Sequence, residues 1–300
     1  MKKKTYLFAL MAMALTLGSC SDNENGIGGE TSKYITVSTS IGNMTRVATD
    51  AKGGQTFEEG DEISVYAWTG DATVAPETRE RVVNNAINKL TNGSWISNPQ
   101  MLWKNNRDKH YFIGVYPISA ISDLSAGEYT FDETKQVESD LLVAVNKDGL
   151  SYNVDEQQPV PLTFTHVMAK LAVNLTYKNQ WGGIPTVEKV VVGNAAKEAT
   201  INYLTKVVTP STTAKEDFSL PEITENTKYV SVIIPQEEVT QLTIVIGGKN
   251  FVYDNGTPFK LESGKITTVN LEVGRDEIKL GDVKITNWED GSTFSGEALN

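Results

Sequence analysis

One cysteine and two histidines are the scarcest reactive side chains in this 300-residue sequence. Cys20 closes the stretch "LTLGSC", His110 stands in "KHYFIGV" and His166 in "FTHVMAK". A zinc site takes three or four such ligands, and two histidines in separate strand-like segments fall short of that number. By parity His166 points with Phe164 and Met168, the placement of a hydrogen-bonded core or boundary residue rather than a general base. There is no Gly-x-Ser-x-Gly elbow and no phosphate-binding loop; "SGKITT" lacks both the leading glycine and a Ser or Thr directly after Lys265. Glu58 to Glu62, "EEGDE", has calcium-binding residue types without EF-hand spacing, and reads as a solvated turn entering a strand. Carboxylates are abundant, but a hydrolase built from them would need a cleft holding two at glycosidase distance. Trp68, Trp95, Trp103, Trp181 and Trp288 have the flat apolar faces that pack on sugar rings, yet nothing in their spacing gathers them onto one surface. The expectation is therefore no catalytic residue, no metal and no cofactor.

Cys20 has a different chemistry available. Lys2, Lys3 and Lys4 are followed by an apolar run from about Tyr6 to Leu17 and then by Gly18 and Ser19, the order of a secretory signal peptide. That run is shorter than the roughly 20 residues that span a bilayer core. Leu-Gly-Ser-Cys resembles the lipobox of bacterial lipoproteins, in which the cysteine is acylated and becomes the first residue of the mature chain. An ordinary signal peptide followed by an incidental cysteine is the competing reading. Under the first, residues 1–19 are the signal peptide and 20–32, including the polar and glycine-rich "SDNENGIGGE", are a lipidated flexible tether. The acidic stretch also resembles the export signal of surface-exposed lipoproteins in some Gram-negative anaerobes. Outer-membrane localisation on the cell surface is then expected, and the Asn-x-Ser/Thr triplets at Asn43, Asn92, Asn174 and Asn255 lose their weight as glycosylation sites. A formal net charge of -11 repels nucleic acid and anionic membrane surfaces, so membrane contact is expected through lipid alone.

The elements expected to carry these residues are strands. Alternation of period two recurs in "YITVSTSI", "EISVYAW", "HYFIGVYP", "LLVAVN", "YVSVIIP", "LTIVIGG", "FVYD" and "ITTVNLEV", each bounded by Gly, Pro, Asn or Asp. The first places Ile35, Val37, Thr39 and Ile41 on one face. Asp254-Asn255-Gly256 between apolar flanks predicts a hairpin, as does Asn92-Gly93, because both residue types accept the positive φ of a primed turn. "TRERVVNNAINKL" is the best helical candidate and fits a strand and turn equally well. Many short strands at close spacing indicate all-β antiparallel sandwiches. In "VPLTFTHVMAKLAVNLTYK" the apolar positions change from even numbers (Leu162, Phe164, Met168) to odd ones (Leu171, Val173, Leu175, Tyr177), which demands a bulge, a bend or a passage between sheets near Ala169 and Lys170. A domain boundary placed there gives 33–168 and 169–300, each close to the usual domain size of roughly 140 residues.

Several of these stretches together resemble the fimbrillin family, the subunits of type V pili. "TFEEGDEISVYAW" is similar to a family strand that opens with an aromatic and Gly-Asp. Tyr116-Pro117-Ile118-Ser119 resembles its Tyr-Pro-Tyr-Ser strand, "DLLVA" its Asp-Leu-Leu segment, "VPLTFTHVMAKLAVNL" its Phe-x-His-x-x-(Ala)-Lys signature and "VKITNW" its closing Ile-x-x-Trp. The resemblance implies two tandem transthyretin-like β-sandwiches, no enzymatic activity, and assembly with other fimbrillin subunits into a fimbrium that serves cell adhesion. It also implies assembly by strand complementation: a protease cuts after an arginine, the first strand leaves, and an extended segment of a neighbour fills the vacancy. Here the first strand would be Lys33 to Ile41, with Ile35, Val37 and Ile41 facing inward. Arg46 with Val47 after it is the candidate cleavage point, against a plain solvated loop. The donor would come from a chain end, where "IKLGDVKITNW" offers Ile278 and Leu280, then Val283 and Ile285 in the opposite register after Gly281; either pair could instead close its own sheet. The alternative function is a monomeric surface lipoprotein that binds glycans or other host or bacterial surface ligands.

Overall fold

The structure is a computed structural model, and it describes residues 33–42, 56–153 and 158–288. Cys20, Arg46 and Val47 lie outside the described residues. Among the described residues, regular structure is almost entirely strand, with two single-turn 3-10 segments at Thr78–Glu80 and Asn179–Trp181. The first eight strands are β1 (Val37–Ile41), β2 (Glu62–Thr69), β3 (Arg81–Thr91), β4 (Ser94–Asn98), β5 (His110–Tyr116), β6 (Gly127–Thr130), β7 (Leu142–Leu150) and β8 (Val160–His166). Seven of them form one sheet in the order β1-β8-β7-β5-β2-β3-β4. The stretch with helical promise is β3, because its apolar residues pair on both sides with β2 and β4. Asn92 and Gly93, at φ 51° and 73°, form the two-residue turn between β3 and β4.

The two ends of this sheet approach each other. The Trp95 indole N–H of β4 donates to Thr39 Oγ1 of β1 at 3.0 Å, and backbone bonds join Ile35 to Met101 and Trp103 to Lys33. The sheet is thus curled around an apolar interior that includes Ile35, Val37, Val65, Met101, Leu162 and Phe164. Its central strands are buried on the other face as well, through Tyr66, Trp68, Ile113, Val115 and Val143. That double burial explains why "EISVYAW" and "FIGV" read as nearly continuous apolar runs.

The remaining strands are β9 (Ala169–Tyr177), β10 (Val187–Ala196), β11 (Glu198–Asn202), β12 (Val207–Pro210), β13 (Lys215–Ser219), β14 (Glu222–Thr224), β15 (Lys228–Ile233), β16 (Gln236–Ile246), β17 (Lys249–Leu261), β18 (Lys265–Val273) and β19 (Ile278–Asn287). They make a four-stranded sheet β13-β10-β16-β17 and a five-stranded sheet β14-β15-β9-β18-β19. A third, β12-β11-β6, takes its edge strand from the first half of the chain. The switch from even to odd apolar positions is a passage between sheets: β8 ends at His166 in the curled sheet, Val167 and Met168 are buried in the crossing, and β9 starts at Ala169 as the centre of the five-stranded sheet. The larger apolar core runs across the crossing, joining Trp68, Ile113 and Val115 to Leu171, Val173, Leu242 and Leu271.

Two local expectations differ from what the chain does. The hairpin is not at Asp254-Asn255-Gly256 but at Gly247-Gly248, both with positive φ, directly between β16 and β17. Two adjacent glycines take the primed turn without a Cβ clash, whereas residues 255–258 lie in a register shift, between the Gln241–Asp254 and Val239–Phe259 pairs. Two strand pairings among the described residues are also parallel, β1 with β8 and β9 with β18, and each joins strands separated by a long excursion of the chain.

Candidate assembly site

The first strand is a plug as well as an edge. On β1 and the two residues before it the alternation read from sequence holds: Ile35 and Val37 are 2% and 6% exposed, Thr39 and Ile41 are half-buried, and the intervening Thr36, Ser38 and Ser40 are exposed. Along one side β1 pairs in parallel with β8, from Val37 opposite Val160 to Ile41 opposite Phe164. Along the other, only its N-terminal approach has backbone bonds among the described residues, where Tyr34 bridges Leu102, and Thr39 is held by the Trp95 indole. Phe57, Trp95, Tyr116 and Phe164 gather beneath its C-terminal half, with ring centroids 5.1–5.3 Å from Phe57 and near-perpendicular planes.

This aromatic floor is held by the "EEGD" turn. Asp61 accepts the Glu58 amide at 2.7 Å and the Tyr116 hydroxyl at 3.3 Å, and Glu59 accepts the amides of Asn92 and Gly93 at 2.8 and 2.6 Å. Those carboxylates therefore serve backbone geometry. Burial, reinforced by Asp61, raises the Tyr116 phenol to about 12 and keeps it a donor. His110 is likewise structural: Trp103 packs edge-on against its ring, Nδ1–H donates to the Asp108 carbonyl and Nε2 accepts the Lys104 amide. Desolvation lowers its basicity.

At the other end of the chain, β19 is the edge of the five-stranded sheet and pairs antiparallel with β18. Leu280 faces Leu271 and Val283 faces Val269, so Gly281 and Asp282 together span one step of β18: the sequence switch in register is a β-bulge. The bulge has a consequence opposite to the expectation. Ile278, Leu280, Val283 and Ile285 lie opposite Val273, Leu271, Val269 and Thr267, and directly opposed residues share a face, so all four apolar side chains are on one side of β19. Their partners on β18 are buried, but Leu280, Val283 and Ile285 remain 36%, 36% and 38% exposed. β1 and β19 belong to different sheets.

Beyond β19 the chain dips inward at Trp288, 7% exposed. Its ring stacks on the His166 imidazole, with centroids 4.0 Å apart and planes 7° from parallel, and Lys170 Nζ lies 4.1 Å from its centroid. Asp140, just before β7, holds His166 Nδ1 at 2.8 Å. The Trp288 amide donates to Gly264 O at 3.0 Å, in the turn between β17 and β18, and that turn is bonded to the crossing through Ser263 to Val167 and Gly264 to Met168. Sequence reasoning singled out each of these segments separately, Asp140 within "DLLVA" included, and missed that they meet. The five tryptophans are dispersed. Trp68 is core, Trp95 lies by Phe57 and Thr39, Trp103 by His110, Trp181 by Phe251, and Trp288 in its socket.

Comparison with known proteins bears on this arrangement. Over 97% of this chain and 97% of its own length, a protein of Bacteroides uniformis described as a candidate fimbrium subunit, Fim1C, is 24% identical. A crystal structure of a candidate cell adhesion protein from Bacteroides uniformis superposes with a TM-score of 0.65 at 19% identity, over 86% of this chain and all of that one. One from Bacteroides ovatus gives 0.65 at 17% identity, over 86% and 99%. At these identities the structures establish a shared fold. The sequence pattern that defines the fimbrillin-like family matches residues 45–288, from the residue before Arg46 to Trp288 itself, and the chain belongs to that family.

Proposed function

We propose that this chain is a fimbrial subunit, exported as a lipoprotein through acylation of Cys20, which polymerises by strand complementation after cleavage between Arg46 and Val47 and so contributes to cell adhesion. Its family consists of structural and adhesion subunits and is not an enzyme class. Among the described residues no helix is long and apolar enough to cross a membrane, in keeping with attachment to the outer membrane by acyl chains. The partners are then other fimbrillin subunits.

The observation that carries this reading is the seating of β1. Ile35 and Val37 project into the curled sheet while, among the described residues, the strand is laddered along its full length to β8 alone. Withdrawing it would uncover Val160, Leu162, Phe164 and Met101 beside a row of unpaired β8 amides and carbonyls. Fully burying an aliphatic side chain is worth roughly 1.5–3 kcal/mol, so replacing Ile35 and Val37 alone offers an incoming strand several kcal/mol. β19 has the attributes of such a strand: ten residues, four apolar side chains on one face, and an outer edge unpaired among the described residues.

Digestion of the purified chain with an Arg-specific protease tests this. The expected outcome is release of the segment that ends at Arg46, a new N-terminus at Val47, and SDS-resistant ladders at high concentration. A trimmed chain that stays monomeric and instead binds saturably to a glycan array would replace the reading with that of a monomeric binding lipoprotein.

A further inference from the structure

β19 is weakly held by its own side chains. Ile278 is half-buried and the other nine residues are exposed, so the strand stays in place through its ladder to β18 and through the residue at its C-terminal end, Trp288. The socket of that indole is built from both sides of the crossing, by His166 at the end of β8 and Lys170 at the start of β9, while the Trp288 amide is bonded to Gly264 O. Lys170 is 1% exposed, and its Nζ lies against the indole face. His166 is fixed in plane by Asp140, so the stacking surface is preformed and does not have to be ordered when the indole enters.

We infer that Trp288 is the latch that keeps β19 on its own subunit, and that withdrawal of the indole from the His166–Lys170 socket is the step that frees β19 for a second copy of this chain. The inference deepens the assembly reading above and rests on it for its partner. The physical basis is an asymmetry in anchoring. An edge strand with exposed side chains opens locally at little cost, whereas one fixed by a buried aromatic at its end cannot fray from that end without first vacating the socket. The second copy is the fitting occupant because the four apolar side chains and unpaired edge of β19 suit the slot beneath β1.

Hydrogen–deuterium exchange on the full chain separates the latch from the assembly reading. In Trp288→Ala, the β19 amides bonded to β18 should exchange at least tenfold faster than in the parent, while those of β15, on the far side of β9, keep their protection. Lys170→Met, which retains the aliphatic stem but removes the charge, should give a smaller increase, about two- to fivefold, in the same segment. Unchanged β19 exchange in both variants would overturn the latch, and so would a loss of protection spread through the whole chain. In a second measurement each variant is mixed with subunits trimmed at Arg46. Faster ladder formation is expected. Local opening of β19 without any ladder would leave the latch standing and overturn donation to a second copy.

Discussion

Gly114 and Phe164 show how tightly single residues are constrained here. A Cβ on Gly114 would come within 2.6 Å of Phe164 Cζ, in the middle of β5 and under the aromatic floor that supports β1. Phe164 is fully buried and its ring packs edge-on against Phe57, while Leu162 of the same strand would also meet a Cβ on Gly114, at 3.1 Å. Gly114→Val should therefore destabilise by about 1–3 kcal/mol through overpacking, measured by urea unfolding, and Phe164→Leu in the same chain should recover part of that loss. A non-additive pair would confirm that the two residues share one space; strict additivity would refute it. Such constraints were partly legible in the sequence. The inward parity of Ile35, Val37 and Ile41 and the core-boundary role of His166 came from alternation alone. Contact between Asp140, His166, Lys170 and Trp288 did not, because side-chain periodicity reports which face a residue occupies and is silent about which distant strand covers that face.

At the level of elements, turn chemistry was readable where one solution dominated and misleading where two competed. Asn92-Gly93 had no rival nearby. Asn255-Gly256 competed with Gly247-Gly248, and the glycine pair won because Ile246 and Lys249 on either side pair directly. β19 gives a sharper case. The register change around Gly281 was visible, but its meaning depended on β18, against which the extra residue bulges. Removing Gly281 leaves Ile278, Leu280, Val283 and Ile285 in simple alternation against the same β18 residues. Deletion of Gly281 should thus alter thermal stability by less than about 1 kcal/mol, within the range of surface changes. Deletion of Lys279 is the contrasting variant, since it puts Ile278 and Leu280 on opposite faces, and its β19 amides should exchange faster than those of the Gly281 deletion. Equal behaviour of the two deletions would show that the apolar face of β19 does not hold it in register.

Across the whole molecule, the three larger sheets are each local to one half but the core is not. Tyr66, Trp68, Ile113 and Val115 from the curled sheet share one apolar cluster with residues of β9, β10, β16 and β18. Cutting the chain at the crossing would leave these side chains facing water, so calorimetry of the intact chain should give one cooperative transition and residues 169–288 expressed alone should not fold. Two resolved transitions would mean that the shared cluster contributes little to coupling. Sequence reasoning located the crossing but could not supply the cluster, which is assembled from pairings such as β9 with β18 that lie far apart along the chain. The sheet containing β6 makes the same point through backbone bonds: Gly127 to Thr130 pair with Glu198 to Ile201, and Phe131 donates to the Lys197 carbonyl. Because those partners are synthesised some seventy residues later, a chain folding from its amino end has to hold β6 unpaired in the meantime. Chaperones that shield bare strand edges would find a client surface there, and the wait for a distant partner strand is where a slow folding step should be sought.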